Sequence, residues 1–205
     1  MLTKTIFAGF GGQGVLLMGV CTANAAMNEG KFVTYLPSYG AEVRGGTANC
    51  TVSVSTEEIA SPIASSPDHV VAMNAPSLAR FQNLAKAGGI FMLNSTLIEQ
   101  GLSRTDLIEI RVPAGEIADS LGSLRSANMV MLGAYVAASK VVSYRILLEA
   151  VESVTGSKRK DLVELNIKAI KAGYDYVEEH YGKADKKKKS AAKAEVQVEK
   201  TATEK

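Results

Sequence analysis

Cysteine is scarce in this 205-residue chain, with only Cys21 and Cys50 present. Two thiols are too few for a disulfide framework, a cysteine-ligated iron–sulfur cluster or a cysteine zinc site. Histidine is equally sparse: His69 and His180 stand far apart, and His180 falls where the dipole at the end of the last helix accounts for it. Neither suggests a catalytic pair. No run of about eighteen apolar residues occurs, and Met1-Leu2-Thr3-Lys4 leads into a strand pattern rather than a charged region with a cleavable apolar segment. A soluble, cytoplasmic protein with no membrane role is the expectation. The chain has no G-x-S-x-G elbow, no Walker loop with its lysine and no H-E-x-x-H, so autonomous hydrolase or kinase chemistry finds no support. No catalytic residue and no metal ligand set is assigned.

Charge of one sign is also missing where a nucleic acid would need it. The net charge of +2 comes from residues 183–205, which hold eight lysines against four acids. Residues 1–182 carry 15 basic and 17 acidic side chains, so the body has no basic excess to offer a phosphate backbone. The lysine-rich end lacks apolar periodicity and is expected to be a disordered tail.

What remains is a body of one domain, residues 1–182, in a chain with 46% hydrophobic residues. Strand patterns at 3–8, 32–36, 47–54, 70–73, 90–93 and 107–112 are interleaved with helical patterns at 15–26 and after Pro76, the latter including Leu78, Phe81 and Leu84. In 47–54 the alternation is clean: Ala48, Cys50, Val52 and Val54 share a buried face, leaving Thr47, Asn49, Thr51 and Ser53 on a polar one. Cys50 thus reads as a small core residue. Helices are expected at 116–121, at 128–139 with Ser126 as a cap, at 144–154 capped by Ser143, and at 160–181. The fold class is α/β: a three-layer Rossmann-like sandwich with a mostly parallel sheet, a possible antiparallel pair near residues 37–46, and a helical C-terminal portion.

Between the first strand and first helix lies Gly9-Phe10-Gly11-Gly12-Gln13-Gly14. Such spacing lets a strand turn tightly into a helix while backbone N–H groups face an anion. The pattern formally matches a dinucleotide fingerprint, whose acidic partner belongs at the tip of the second strand. Glu29 has the right count but precedes that strand, which runs into Pro37 with no acid at its end. A dinucleotide site, a bare packing turn and a different anion site therefore remain open. The next loop, Pro37-Ser38-Tyr39-Gly40-Ala41-Glu42-Val43-Arg44-Gly45-Gly46, is richer than a turn requires. Arg44 suits a carboxylate or phosphate, Glu42 can hold that guanidinium or a ligand amine, and Ser38 and Tyr39 can donate hydrogen bonds. A Glu42–Arg44 pair that merely orders the loop is the plainer reading. Both loops belong at the carboxyl end of the sheet and should share one crevice.

The two loops, in this order and at this spacing, resemble the gamma subunit of the 2-oxoacid:ferredoxin oxidoreductases. The likeness is concentrated in residues 3–54. Its Tyr-Gly-x-Glu-x-Arg-Gly-Gly form is similar to the 2-oxoglutarate type more than the pyruvate type, where a more arginine-rich loop followed by Gly-Ala-Pro is expected. An indolepyruvate-type subunit is a further possibility within the family. The resemblance implies a multisubunit enzyme with thiamine diphosphate, Mg2+ and iron–sulfur clusters in partner alpha, beta and ferredoxin-like delta subunits. It also implies CoA as cosubstrate and ferredoxin as acceptor. For this chain it implies a crevice of Gly11, Gly12, Gln13, Gly14, Ser38, Tyr39, Glu42, Arg44, Gly45 and Gly46 that helps form an acyl-CoA pocket. An independent NAD(P)- or flavin-dependent reductase and a non-catalytic scaffold subunit are the alternatives from other classes.

Overall fold

A computed structural model describes residues 1–39, 46–156 and 159–182, with Tyr39 described in its backbone only. Strand β1 (Leu2–Phe10) leads into helix α1 (Val15–Asn28), and β2 (Phe32–Tyr39) and β3 (Thr47–Ser55) follow as an antiparallel hairpin. Then come β4 (His69–Ala72), α2 (Ala75–Phe81), β5 (Ile90–Asn94) and β6 (Ile108–Val112). Helices α3 (Ala114–Ser120), α4 (Ala127–Ser139), α5 (Tyr144–Thr155) and α6 (Lys160–His180) complete the order, with a 3-10 turn at Leu124–Ser126 before α4. The six strands form one mixed sheet in the order β2-β3-β1-β4-β5-β6. Pairs β1·β4, β4·β5 and β5·β6 are parallel, whereas β3 runs antiparallel between β1 and β2. The expected α/β sandwich with a helical C-terminal portion is therefore present, and the antiparallel element is the inserted hairpin.

The sheet alternation feeds two cores of unequal size. Phe7, Val71, Met92 and Val112 point to the face covered by α1, α4, α5 and α6, while Ile6, Val70, Phe91 and Leu93 point to the face packed by α2. Helix α4 has ten of its thirteen residues buried, because it lies between the sheet and α6. By contrast, α5 buries only Leu147, Ala150 and Val151, as an amphipathic outer helix should. The α4–α6 contact is close enough that glycines meet backbone. A Cβ on Gly133 would stand 2.7 Å from the Ile170 carbonyl carbon, and one on Gly173 would stand 2.7 Å from that of Val130.

Several sequence expectations need correcting. Strand β2 continues through Pro37 to Tyr39. It is an edge strand, where the missing N–H is tolerated. The polar side of β3 is not left to solvent: Thr51, Ser53 and Ser55 are buried along with the apolar side. The Lys4 ammonium, on that same side of β1, holds the carbonyls of Ser61 and Ile63 above it. Helix α2 stops at Phe81, leaving Leu84 outside it and exposed. Ser126 and Ser143 stand at helix starts, but neither side chain makes a capping bond. The far edge, β6, is blunted by Tyr181, whose hydroxyl accepts from Arg111 N and donates to Arg111 O. The lysine-rich residues 183–205 lie outside the described residues.

Candidate functional site

Register brings the two sequence motifs together. Phe10 at the end of β1 is paired with Thr47 at the start of β3, and Tyr39 at the end of β2 with Ala48. The end of β2 and the start of β3 consequently stand at the same edge as the glycine turn, at the carboxyl ends of the parallel strands. One further bond closes the gap: Gly11 N donates to Gly46 O at 2.9 Å. The Gly11 amide is thus engaged by the hairpin instead of facing a ligand. Glu42, Arg44 and Gly45 fall outside the described residues, and Ser38 is exposed near the end of β2.

The turn itself is over-determined. Gly12 and Gly14 have φ of 97° and 73°, conformations that side chains rarely adopt. A Cβ on Gly12 would meet nothing within 4 Å, so this residue faces open space at the crest. Gly14 is different: a Cβ there would lie 2.8 Å from Asn128 Cγ, because Asn128 at the start of α4 reaches across and its Nδ2 approaches Gly14 O at 3.4 Å. The N-termini of α1 and α4 therefore converge at this edge. Gly14 caps α1 with no side-chain acceptor, and the first turn of α1 contains no acid. The positive end of its dipole thus has no acidic side chain of the first turn against it. Gln13 turns inward: its Oε1 accepts from Phe10 N at 2.7 Å and from Asn74 Nδ2 at 2.9 Å, and its Nε2 reaches Met73 O at 3.4 Å.

Three asparagines at this edge were missed by sequence reasoning. Asn74 follows β4, Asn94 ends β5 and Asn128 opens α4, all largely buried. Each closes or opens an apolar run at a strand or helix end, a signal that could have been used. Asn94 Oδ1 is buried without a hydrogen-bond partner.

Other ionisable groups lie elsewhere. Glu29, the residue at dinucleotide-acid spacing, accepts from Ser143 N at 2.6 Å and pairs with Lys31 at 2.6 Å. Partial burial opposes ionisation there, yet the bonds from Lys31 and Ser143 hold the carboxyl below its usual range. It fastens the start of α5 to the turn before β2, away from the crest. His69 sits at the opposite, amino end of β4, and burial pushes its pKa down to about 4. Its Nδ1 lies 3.4 Å from the Tyr135 hydroxyl, which also shares a 2.6 Å hydrogen bond with Thr5. His180 stacks on Tyr176 at the end of α6. Cys50 is fully buried with its thiol pushed up to about 12, and Cys21 likewise, so neither acts as a nucleophile. Among the described residues no group of three His, Cys, Asp or Glu could hold a metal ion, and no helix is long and apolar enough to cross a membrane.

Fold and crest together define an α/β protein with a glycine-built turn at the edge of a mixed sheet and, among the described residues, no acid at the end of β2 in the place of a dinucleotide fold's ribose acid. The chain belongs to the pyruvate ferredoxin/flavodoxin oxidoreductase family, whose profile matches residues 4–176. It is 39% identical over 174 residues to the ketoisovalerate oxidoreductase subunit VorA of Methanothermobacter thermautotrophicus, covering 84% of this chain and 36% of VorA. It is 36% identical over 179 residues to the 2-oxoglutarate synthase subunit KorC of Methanothermobacter marburgensis, covering 84% of this chain and 95% of KorC. The crystal structure of a keto/oxoacid ferredoxin oxidoreductase gamma subunit from Geobacter sulfurreducens superposes with a TM-score of 0.73 at 31% identity, covering 84% of this chain and 96% of that one. The chain thus spans about a third of the VorA protein but nearly the whole of the KorC and gamma-subunit relatives.

Proposed function

We propose that the chain serves as the gamma subunit of a multisubunit 2-oxoacid:ferredoxin oxidoreductase. The reaction is oxidative decarboxylation of a 2-oxoacid with CoA, giving an acyl-CoA, CO2 and reduced ferredoxin. Thiamine diphosphate, Mg2+ and the iron–sulfur clusters belong to alpha, beta and delta partner subunits, and the chain is inactive alone. One observation carries this reading. The glycine turn and the Ser38-to-Gly46 loop, two motifs from separate parts of the sequence, are joined by the Gly11–Gly46 bond at one edge. The uncapped α1 N-terminus and Gly12 lie at that edge, and the resemblance assigns Arg44 of the same loop to the site; partial and full positive charge of this kind suits the phosphates of CoA or the carboxylates of a 2-oxoacid. Gly11, Gly14, Ser38 and Gly46 belong to the same edge, with Gly11 tied to Gly46 through its amide and Gln13 turned beneath the turn, and the resemblance adds Tyr39, Glu42 and Gly45 to the proposed crevice.

2-Oxoglutarate is the favoured substrate, supported by the Tyr39-to-Gly46 loop form and by the near-complete coverage of KorC. Likeness to VorA makes 2-oxoisovalerate the competitor. The test is to purify the native assembly and assay 2-oxoglutarate, pyruvate, 2-oxoisovalerate and indolepyruvate for CoA-dependent reduction of ferredoxin or a viologen dye. Turnover highest with 2-oxoglutarate is expected. Absence of any thiamine-dependent partner in the preparation would overturn the reading. Tight dinucleotide binding by the isolated chain would instead favour a reductase, against which the engagement of Glu29 counts.

A further inference from the structure

We propose that Asn74 is a positioning residue for the crest: it sets the shape of the glycine turn by fixing which way the Gln13 amide faces. The residue is 5% exposed and follows Met73, whose N–H donates to Ala8 O and extends the β1·β4 ladder to the level of the turn. Its two amide atoms have separate duties. Oδ1 accepts from Ser77 N at 2.9 Å and so caps α2, while Nδ2 donates to Gln13 Oε1 at 2.9 Å. The cap decides the orientation of Asn74, since only the oxygen can receive the Ser77 N–H. That in turn presents a donor to Gln13, so Gln13 must offer its oxygen. The same oxygen accepts from Phe10 N at 2.7 Å and leaves Nε2 toward Met73 O. Orientation is passed from α2 to Asn74, from Asn74 to Gln13, and from Gln13 to the backbone of the turn. Gly9 confirms how tightly this is built, since a Cβ there would lie 2.7 Å from Gln13 Oε1 and 3.1 Å from Met73 Cβ.

This rests on the crest being the site for the anionic part of CoA or the 2-oxoacid. Asn74→Asp separates the two duties of the side chain. A carboxylate still caps α2, but it turns an acceptor toward Gln13 Oε1. The Gln13 amide must then reverse, and Phe10 N loses its partner. In the assembled enzyme the expected result is a rise of about tenfold in KM for CoA or for the 2-oxoacid with kcat within about twofold, and a lowered melting temperature from the buried carboxylate and the orphaned Phe10 N, which the KM-against-kcat split separates from the positioning effect. Asn74→Ser retains an acceptor for the cap but lacks the amide Nδ2 that reaches Gln13 Oε1, its shorter hydroxyl ending one bond sooner, and the same KM rise is expected. Gln13→Ala should match it, and Gln13→Ala combined with Asn74→Asp should be no worse than the larger single change, because both act through one amide. Unchanged KM in Asn74→Asp and Asn74→Ser, or multiplicative effects in the double variant, would overturn the assignment. Arg44→Ala separates the two levels of the reading. If it raises KM while both Asn74 variants do not, the positioning role alone fails; if none of the three changes either KM, the crest is not the ligand site.

Discussion

Gly133→Ala tests the packing that holds the helical layer on the sheet. A methyl group there would lie 2.7 Å from the Ile170 carbonyl carbon and 2.9 Å from its Cα, against an optimum of about 3.5–4.0 Å for carbon contacts. The obstacle is backbone, so no rotamer change relieves it, and α4 must move about 1 Å from α6. A gap of that size forfeits a quarter to a half of the dispersion attraction along the seam. Overpacking of this kind costs about 3 kcal/mol at the upper end, and the gain of about 1 kcal/mol from Ala over Gly in a helix offsets part of it. The net expectation is a loss of about 2 kcal/mol. For a domain of this size that lowers the melting temperature by roughly 4–8 °C in thermal unfolding followed by circular dichroism. Gly173→Ala faces Val130 backbone in the reciprocal position and should cost a similar amount. The double variant should lose less than the sum, because one separation accommodates both methyls. Melting temperatures unchanged or raised in both single variants would refute the close α4–α6 approach.

Acid sensitivity should trace in part to His69. Its folded pKa of about 4 lies below the ordinary 6.5, so between those values the unfolded chain binds a proton that the folded chain does not. The resulting stability is complete above about pH 6.5 and is lost as pH falls toward 4. Denaturant midpoints measured from pH 7 to pH 4.5 should fall less steeply in His69→Gln than in the unsubstituted protein. Glu29→Ala removes the acceptor of Ser143 N and the partner of Lys31, and should lower stability by about 1 kcal/mol in urea unfolding while leaving CoA and 2-oxoacid kinetics unchanged. A kinetic effect would return Glu29 to the ligand site. Tyr135→Phe strips a buried hydroxyl from Thr5 and should cost about 1–3 kcal/mol in the same assay.

The strands were legible because their apolar runs are short and bounded by glycine, proline or polar residues. Helix α1 likewise was legible from apolar residues around most of its circumference, and α4 proves buried in the same way. That the two loops lie at one edge was legible too, since both follow strands whose carboxyl ends share that edge, although β3 stands between β1 and β2 and the Gly11–Gly46 bond runs to it. Hairpin insertion was only half visible: Pro37 looked like a strand end, and only its place on the sheet edge lets β2 continue to Tyr39. The burial of Ser53 and Thr51 could not be read from local alternation, because that side of β3 lies beside β1, where Lys4, paired with Ser53, bonds the carbonyls of Ser61 and Ile63. Gln13 looked like a ligand group, but the structure turns its amide to Phe10, Asn74 and Met73. That orientation depends on Asn74, 61 positions later, which spacing within the motif could not reveal. Glu29 failed as a ribose acid for a reason the sequence did hint at, its position before β2.

The most direct measurement is steady-state kinetics of the assembled enzyme carrying Arg44→Ala, with CoA and the 2-oxoacid varied in turn. Removing the guanidinium that the proposed function assigns to the anion site should raise KM for at least one of them by about ten- to a hundredfold, while the complex still purifies with its partners. Identical KM and kcat for both substrates would contradict the claim that the glycine turn and the β2–β3 hairpin tip form its anion site.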